Sequence, residues 1–268
     1  MTEATRDQHA LAFEAFGVKA ALTANRAELV DRLRPLLPPG AEPCPPAEAG
    51  RRFALIAEDN GTYGFALNDE PPMNRGLELE LVLMLLDSQV RLYVGVEAPD
   101  YIFIHAGVVG YRGAAIVVPG RSFAGKTMLV SALVSAGATY YSDEFAVLDE
   151  QGLVHPYAKP LSLRGEDQMQ TDYPVESLGW TAGSEPLPMG AIVITSYRPN
   201  ADWRPQRLTS GEGAMALLEN AIPARERPAQ VMRVISLAGK GAIAISSDRG
   251  EADGVAARLL AELDYVGA

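Results

Sequence analysis

The residues of this chain best equipped for chemistry lie between Gly120 and Thr127, which read Gly-Arg-Ser-Phe-Ala-Gly-Lys-Thr. This spacing satisfies the phosphate-loop, or Walker A, pattern G-x-x-x-x-G-K-[ST] at every fixed position. Gly120 and Gly125 let the backbone turn successive N–H groups inward onto phosphate oxygens. Arg121, Ser122, Phe123 and Ala124 complete that cradle, and Met128 follows it in the first helical turn. Lys126 would reach the outer phosphates, and the Thr127 hydroxyl would ligate Mg²⁺. This is the chemistry of a nucleotide site.

Two further groups lie close by in the chain. Ser142-Asp143-Glu144 ends an apolar stretch soon after the loop. A nucleotide site needs a carboxylate there, to hold Mg²⁺ or to take a proton from an attacking hydroxyl. A polar turn between two strands would use the same three residues, so position alone leaves both readings open. His105, in Ile102-Phe-Ile-His-Ala-Gly-Val-Val109, precedes the loop. A lone histidine on an apolar strand is commonly a satisfied core residue, and its type alone assigns it no role.

The elements needed to position these groups are legible. Residues 113–119 are small and β-branched, as in a short buried strand. Residues 128–136 place Leu129, Leu133 and Val134 at helical spacing, and Gly137 is a helix stop. Strand, glycine loop and helix therefore come in the required order. Elsewhere the patterns predict a strand over 11–22, then a helix from about residue 26 that ends by Pro38-Pro39-Gly40. A loop over 41–50 leads to a hairpin of strands 51–58 and 62–67 around Asp59-Asn60-Gly61. A helix over 77–88 and strands over 90–96 and 101–111 follow. Beyond the loop helix, strands are expected over 139–141, 145–148, 191–197, 229–237 and 241–246, and helices over 213–221 and 251–263. Composition shifts near residue 98. That divides the chain into a small α+β region, 1–97, suited to binding an acceptor or partner, and a nucleotide-binding catalytic domain, 98–268.

Composition sets the outer bounds. The 268 residues are 48% hydrophobic and 21% charged, as in a soluble globular protein. The net charge of −11 argues against nucleic acid or an anionic membrane as partner, because both require a basic face. Cys44 is the only cysteine, which excludes an internal disulfide and a thiolate metal cluster. The first residues lack the basic-then-apolar pattern of a secretory signal, and residues 77–96 are interrupted by charges. A cytoplasmic location is the expectation.

Taken together, Ile104-His105-Ala106-Gly107, the loop Gly120 to Thr127, and Ser142-Asp143-Glu144 resemble the HPr kinase/phosphorylase family and its relatives. The resemblance covers roughly residues 101–165. It implies an α/β fold: a P-loop kinase core of the HPr kinase/PEP carboxykinase type, with a mixed, curved sheet and flanking helices, preceded by the small α+β region. It further implies transfer of the γ-phosphate of ATP, with Mg²⁺, to a serine-type hydroxyl. By that analogy Asp143 is the general base or lies beside it, Glu144 and Asp143 join Thr127 as Mg²⁺ ligands, and His105 orients the acidic residue. The family's pair is usually two aspartates and its loop often has glycine where Phe123 stands. The expected acceptor is a hydroxyl-bearing peptide or small molecule rather than HPr, with room for self-association into a homo-oligomer. Lys159 and Arg164 are further candidates for phosphate or acceptor contacts, and the arginine-rich loop from Arg198 to Arg207 is a candidate lid. Two other functions stand beside the kinase: an NTPase switch, and a nucleotide-binding sensor or assembly module without a phosphoryl acceptor.

Overall fold

In the computed structural model, which describes residues 9–68, 70–120, 125–164 and 170–266, the backbone divides between Asp100 and Tyr101 into two units. The architecture is mixed α/β, with two mixed sheets, a two-stranded ribbon and six helices among the described residues. None of those helices is long and apolar enough to cross a membrane.

The first unit begins with β1 (Ala10–Ala15) and β2 (Val18–Ala24), where the sequence pattern predicts a single strand. A two-residue turn intervenes. Phe16 and Gly17 both have positive φ, 53° and 77°, the geometry that matches the twist of a tight hairpin. The short helix α1 (Val30–Leu33) leads to the edge strand β3 (Glu42–Pro43). The expected hairpin follows as β4 (Arg51–Ala57) and β5 (Tyr63–Leu67), then β6 (Met73–Leu77). The sheet order is β3-β1-β2-β4-β5-β6, with β2 and β4 parallel.

Helix α2 (Leu79–Glu97) runs through the segment expected to be a strand at 90–96. Val82, Leu86, Val90 and Val94 are buried at four-residue intervals, and that period is helical. The β-branched valines favour strand locally, but burying one continuous helical face outweighs that preference.

The second unit runs β7 (Tyr101–Tyr111), β8 (Ala114–Pro119), α3 (Lys126–Ser135), β9 (Thr139–Ser142), β10 (Phe145–Asp149) and β11 (Leu153–His155). The ribbon β12 (Leu161–Arg164) and β13 (Gln170–Tyr173) precedes β14 (Leu187–Tyr197) and β15 (Gln206–Arg207). Helices α4 (Ser210–Leu218) and α5 (Pro228–Ala238), strand β16 (Ile243–Arg249) and helix α6 (Ala252–Val266) complete it. Helix α5 also replaces an expected strand. Val231, Val234, Ile235 and Ala238 are buried at i, i+3, i+4 and i+7, and Pro228 opens the helix where no backbone N–H is required.

The sheet order is β11-β10-β7-β8-β14-β16-β15, and β9 also pairs with β7. Strands β8, β14 and β16 are mutually parallel, while β7, β9, β10 and β11 pair antiparallel. Because β11 pairs with β14 as well as β10, the strand pairings close into a ring. Helices α3 and α6 cover one face around Leu129, Leu133, Val193 and Leu259. Helices α4 and α5 cover the other around Leu217, Val231, Ile192 and Val117.

Candidate functional site

The hairpin of β7 and β8 pairs Ala106 with Pro119, and the same register carries His105 opposite Gly120. Gly120 N–H donates to the His105 carbonyl at 3.2 Å. In return, His105 Nδ1 lies 2.7 Å from the Gly120 carbonyl oxygen, so the tautomer that fits carries its proton on Nδ1. Lys126 Nζ donates to that same oxygen at 2.8 Å and sits 3.5 Å from His105 Nδ1. One carbonyl thus gathers the histidine and the lysine at the carboxyl end of β8.

Between the ends of this strand and helix, Arg121, Ser122, Phe123 and Ala124 lie outside the described residues. Gly125 has φ 76° and ψ 19°, the left-handed conformation that glycine adopts without a Cβ penalty. A Cβ there would also fall 2.5 Å from Arg249 Nη2. Helix α3 starts at Lys126 and directs its free N–H groups toward the loop. It packs closely because β7 offers Gly107, where a Cβ would stand 2.6 Å from Val130 Cγ2. Met128 is 58% exposed at the start of this helix.

Asp143 and Glu144 form the two-residue link between β9 and β10. The buried Ser142 hydroxyl fixes that link, accepting the N–H of Glu144 at 3.0 Å and of Phe145 at 2.9 Å. The Glu144 carbonyl accepts the N–H of Ala106, which ties the turn to the strand beside His105. The Asp143 carboxylate meets two hydroxyls: Thr127 Oγ1 lies 3.4 Å from Oδ2, and Tyr140 OH lies 3.2 Å from Oδ1. Tyr140 OH is also 3.0 Å from the Lys159 carbonyl, and its one proton serves one acceptor at a time.

The electrostatics follow from burial. Lys126 is only 7% exposed, and loss of water lowers its pKa to about 8 despite the attraction of Asp143. Burial likewise raises Asp143 above the usual carboxylate range, against the pull of Tyr140, Thr127 and Lys126. Desolvation, followed by the neighbouring Asp143 charge, pushes the Tyr140 phenol well above its ordinary value, so it stays a donor. Each member of the Lys126–Asp143 pair is driven toward its neutral form, which an incoming phosphate would reverse at the lysine.

Of the groups expected from sequence, Lys126, Thr127, Asp143, Gly120 and His105 are thus brought to one place. His105 contacts Gly120 and Lys126, whereas the described contacts of Asp143 are with hydroxyls. Lys159 reaches the site through its backbone, and the side chain of Arg164 lies outside the described residues. The expected lid at 198–207 is pinned. Trp203 is buried, and its carbonyl accepts from Arg258 Nη2 at 2.9 Å. Arg198 pairs with Asp248 and Arg204 with Asp202.

Two residues had no sequence signal. Tyr140 reads as one more apolar strand position. Arg249 lies at the end of the last strand, yet its Nη2 donates to the Gly125 carbonyl at 2.6 Å. No spacing along the chain links it to the loop.

No protein-family model matches this chain, and no curated protein does. Among solved structures, the Hpr(Ser) kinase/phosphatase from Coxiella burnetii is similar at 12% identity over 62% of this chain and 95% of that one, with a TM-score of 0.33. A likeness of that size assigns no residue a role, so the roles below rest on this chain's own geometry.

Proposed function

We propose that this chain is an ATP- and Mg²⁺-dependent phosphotransferase acting on a serine-type hydroxyl of a peptide, protein or small molecule. The observation that carries the reading is the convergence of Lys126, Thr127 and Asp143 where β8 meets α3. A hydrolytic switch needs the loop lysine and threonine. A partly buried carboxylate raised above its usual pKa also suits the removal of a proton from an acceptor hydroxyl.

The donor set fits Mg²⁺. Thr127 Oγ1 and Asp143 Oδ2 are hard oxygen ligands 3.4 Å apart, with Glu144 adjacent in the chain. Among the described residues no group of three or more His, Cys, Asp or Glu side chains gathers to hold an ion, so phosphate and water oxygens would supply the remaining ligands. When bound, Mg²⁺ would neutralise charge on the phosphate oxygens. In the proposed transfer the acceptor oxygen forms a bond to the γ-phosphorus as the bond to the β–γ bridging oxygen breaks. ADP leaves, and the acceptor proton passes to Asp143. Lys126 stabilises the phosphate charge, and His105 holds the Gly120 carbonyl that Lys126 would release to reach the phosphates. We assign residues 1–97 to acceptor or partner recognition, and residues 98–268 to a P-loop core of the HPr kinase/PEP carboxykinase type.

The test is transfer of labelled γ-phosphate from ATP, with Mg²⁺, to a panel of peptides, an HPr-like protein and hydroxyl metabolites. Label in one acceptor, lost in Lys126→Ala and Asp143→Asn, is expected. Release of phosphate to water alone would replace the kinase with a switch. Nucleotide binding without turnover would replace it with a sensor.

A further inference from the structure

Among the described residues two charged side chains are buried, Lys126 at 7% exposed and Arg249 at 2%. Both are cations, in a chain whose net charge is −11. Both also flank one residue. Lys126 follows Gly125 in the chain, and Arg249 Nη2 donates to the Gly125 carbonyl at 2.6 Å. Gly125 is the N-cap of α3, so the positive end of that helix dipole falls at the same place.

Arg249 ends β16 on the face that carries Ile245, the face covered by α3 and α6. Its neighbour across the parallel pairing is Tyr197, whose ring centroid lies 5.6 Å from the guanidinium carbon. Nη1 donates to the Gly250 carbonyl at 3.0 Å, and the buried Nε has no hydrogen-bond partner among the described residues. Those residues also offer no carboxylate at ion-pair distance. Glu251 attracts the guanidinium from further off, but it is exposed and its Oε1 accepts from the Tyr197 hydroxyl at 2.7 Å. Burial lowers the pKa of Arg249 against the pull of Glu251 and Tyr197.

A strut between two carbonyls needs no charge. A neutral amide would serve, without taking a cation out of water with no carboxylate beside it. Two buried cations at one helix N-terminus also repel each other, and little water is present to screen them. An anion in the loop offsets both costs. We infer that Arg249 is a second cation of the phosphate site, a positioning residue that holds Gly125 and whose charge sets affinity for a polyphosphate. This role rests on the phosphate-site reading above, and its test separates the two.

Binding of inorganic pyrophosphate and tripolyphosphate, with Mg²⁺, to the full chain would be measured by calorimetry for wild type, Arg249→Lys, Arg249→Gln and Lys126→Ala. Thermal unfolding establishes that each is folded. Arg249→Gln keeps a donor for the Gly125 carbonyl and removes the charge, whereas Arg249→Lys keeps the charge and loses the fork. Arg249→Gln is expected to weaken tripolyphosphate at least about tenfold and pyrophosphate less, and Arg249→Lys to stay within about threefold of wild type. Equal losses in the two variants would make Arg249 a strut alone and overturn the proposal. So would an unchanged affinity in a folded Arg249→Gln, and the phosphate site would still stand if Lys126→Ala weakened binding. In wild type, the isotope-labelled Nε–H resonance of Arg249, identified by its absence from Arg249→Lys, should shift on saturation with tripolyphosphate. An unmoved resonance overturns the role. Failure of wild type to bind either anion overturns the phosphate site with it.

Discussion

Arg249 and Gly125 stand 124 residues apart in the chain and 2.6 Å apart in space, guanidinium nitrogen to carbonyl oxygen. The last strand of the sheet thus holds the residue from which the loop helix starts. Gly125→Ala would place a methyl group against Arg249 Nη2 and force a left-handed φ on alanine, costing about 1–2 kcal/mol from the conformation alone. Arg249→Ala should cost about 1–3 kcal/mol by removing the charged donor to a carbonyl that is then left with the Leu129 N–H, at 3.3 Å, as its donor. The double variant is expected to be less destabilised than the sum by about 1 kcal/mol, because the second change removes the atom the first collides with. Thermal unfolding of the four proteins checks this, and strict additivity would refute it.

Tyr140→Phe deletes one hydroxyl and keeps the ring that packs at 6.3 Å from Trp180. The proposed transfer step should slow by roughly 10- to 100-fold, the worth of a hydrogen bond to a charged group, with little change in nucleotide affinity. Steady-state kinetics that showed a raised KM for ATP at constant kcat would place Tyr140 in ground-state binding instead.

Lys126 gives a pH signature. Its pKa without nucleotide is about 8, below its ordinary 10.5, so between those values the unfolded chain binds more protons than the folded one. Stability of the nucleotide-free protein attributable to this group therefore rises with pH from about 8 to 10.5, and is least below 8. Phosphate charge should return the lysine toward its ordinary value, so binding near pH 9 takes up a proton. Calorimetry in buffers of different ionisation enthalpy should show uptake in wild type and none in Lys126→Met.

His105 and Lys126 share the Gly120 carbonyl, so their substitutions should not act independently. His105→Ala is expected to alter ATP affinity in wild type and to have little effect in Lys126→Ala, a coupling of about 1 kcal/mol. Equal effects in both backgrounds would show that His105 acts elsewhere.

The strand 113–119, the helix after Lys126 and the turn at Asp59-Asn60-Gly61 were legible because each is specified by neighbours in the chain. Glycine, the β-branched run and the apolar stripe act over a few residues. Residues 90–96 and 229–237 misled for the same reason. Their valines favour strand locally, and only the packed faces of α2 and α5 reveal a helical period. At the site, spacing along the chain was enough to single out Lys126, Thr127 and Asp143, which lie together in the fold. The contact of Arg249 with Gly125, and of Tyr140 with Asp143, exists only once β16 and β9 are laid into the sheet.

The ring of strand pairings from β11 through β10, β7, β8 and β14 back to β11 acts as a hoop. Asp143 hangs from one arc of it and the loop from another. To separate them by parting strands, a fluctuation must break the hoop at two places rather than one. Local opening is then suppressed relative to an open sheet, and the amides of β8 and β10 should exchange with solvent as one cooperative group. Distance between carboxylate and lysine is in this sense held by a closed circumference, so the nucleotide would find it already set.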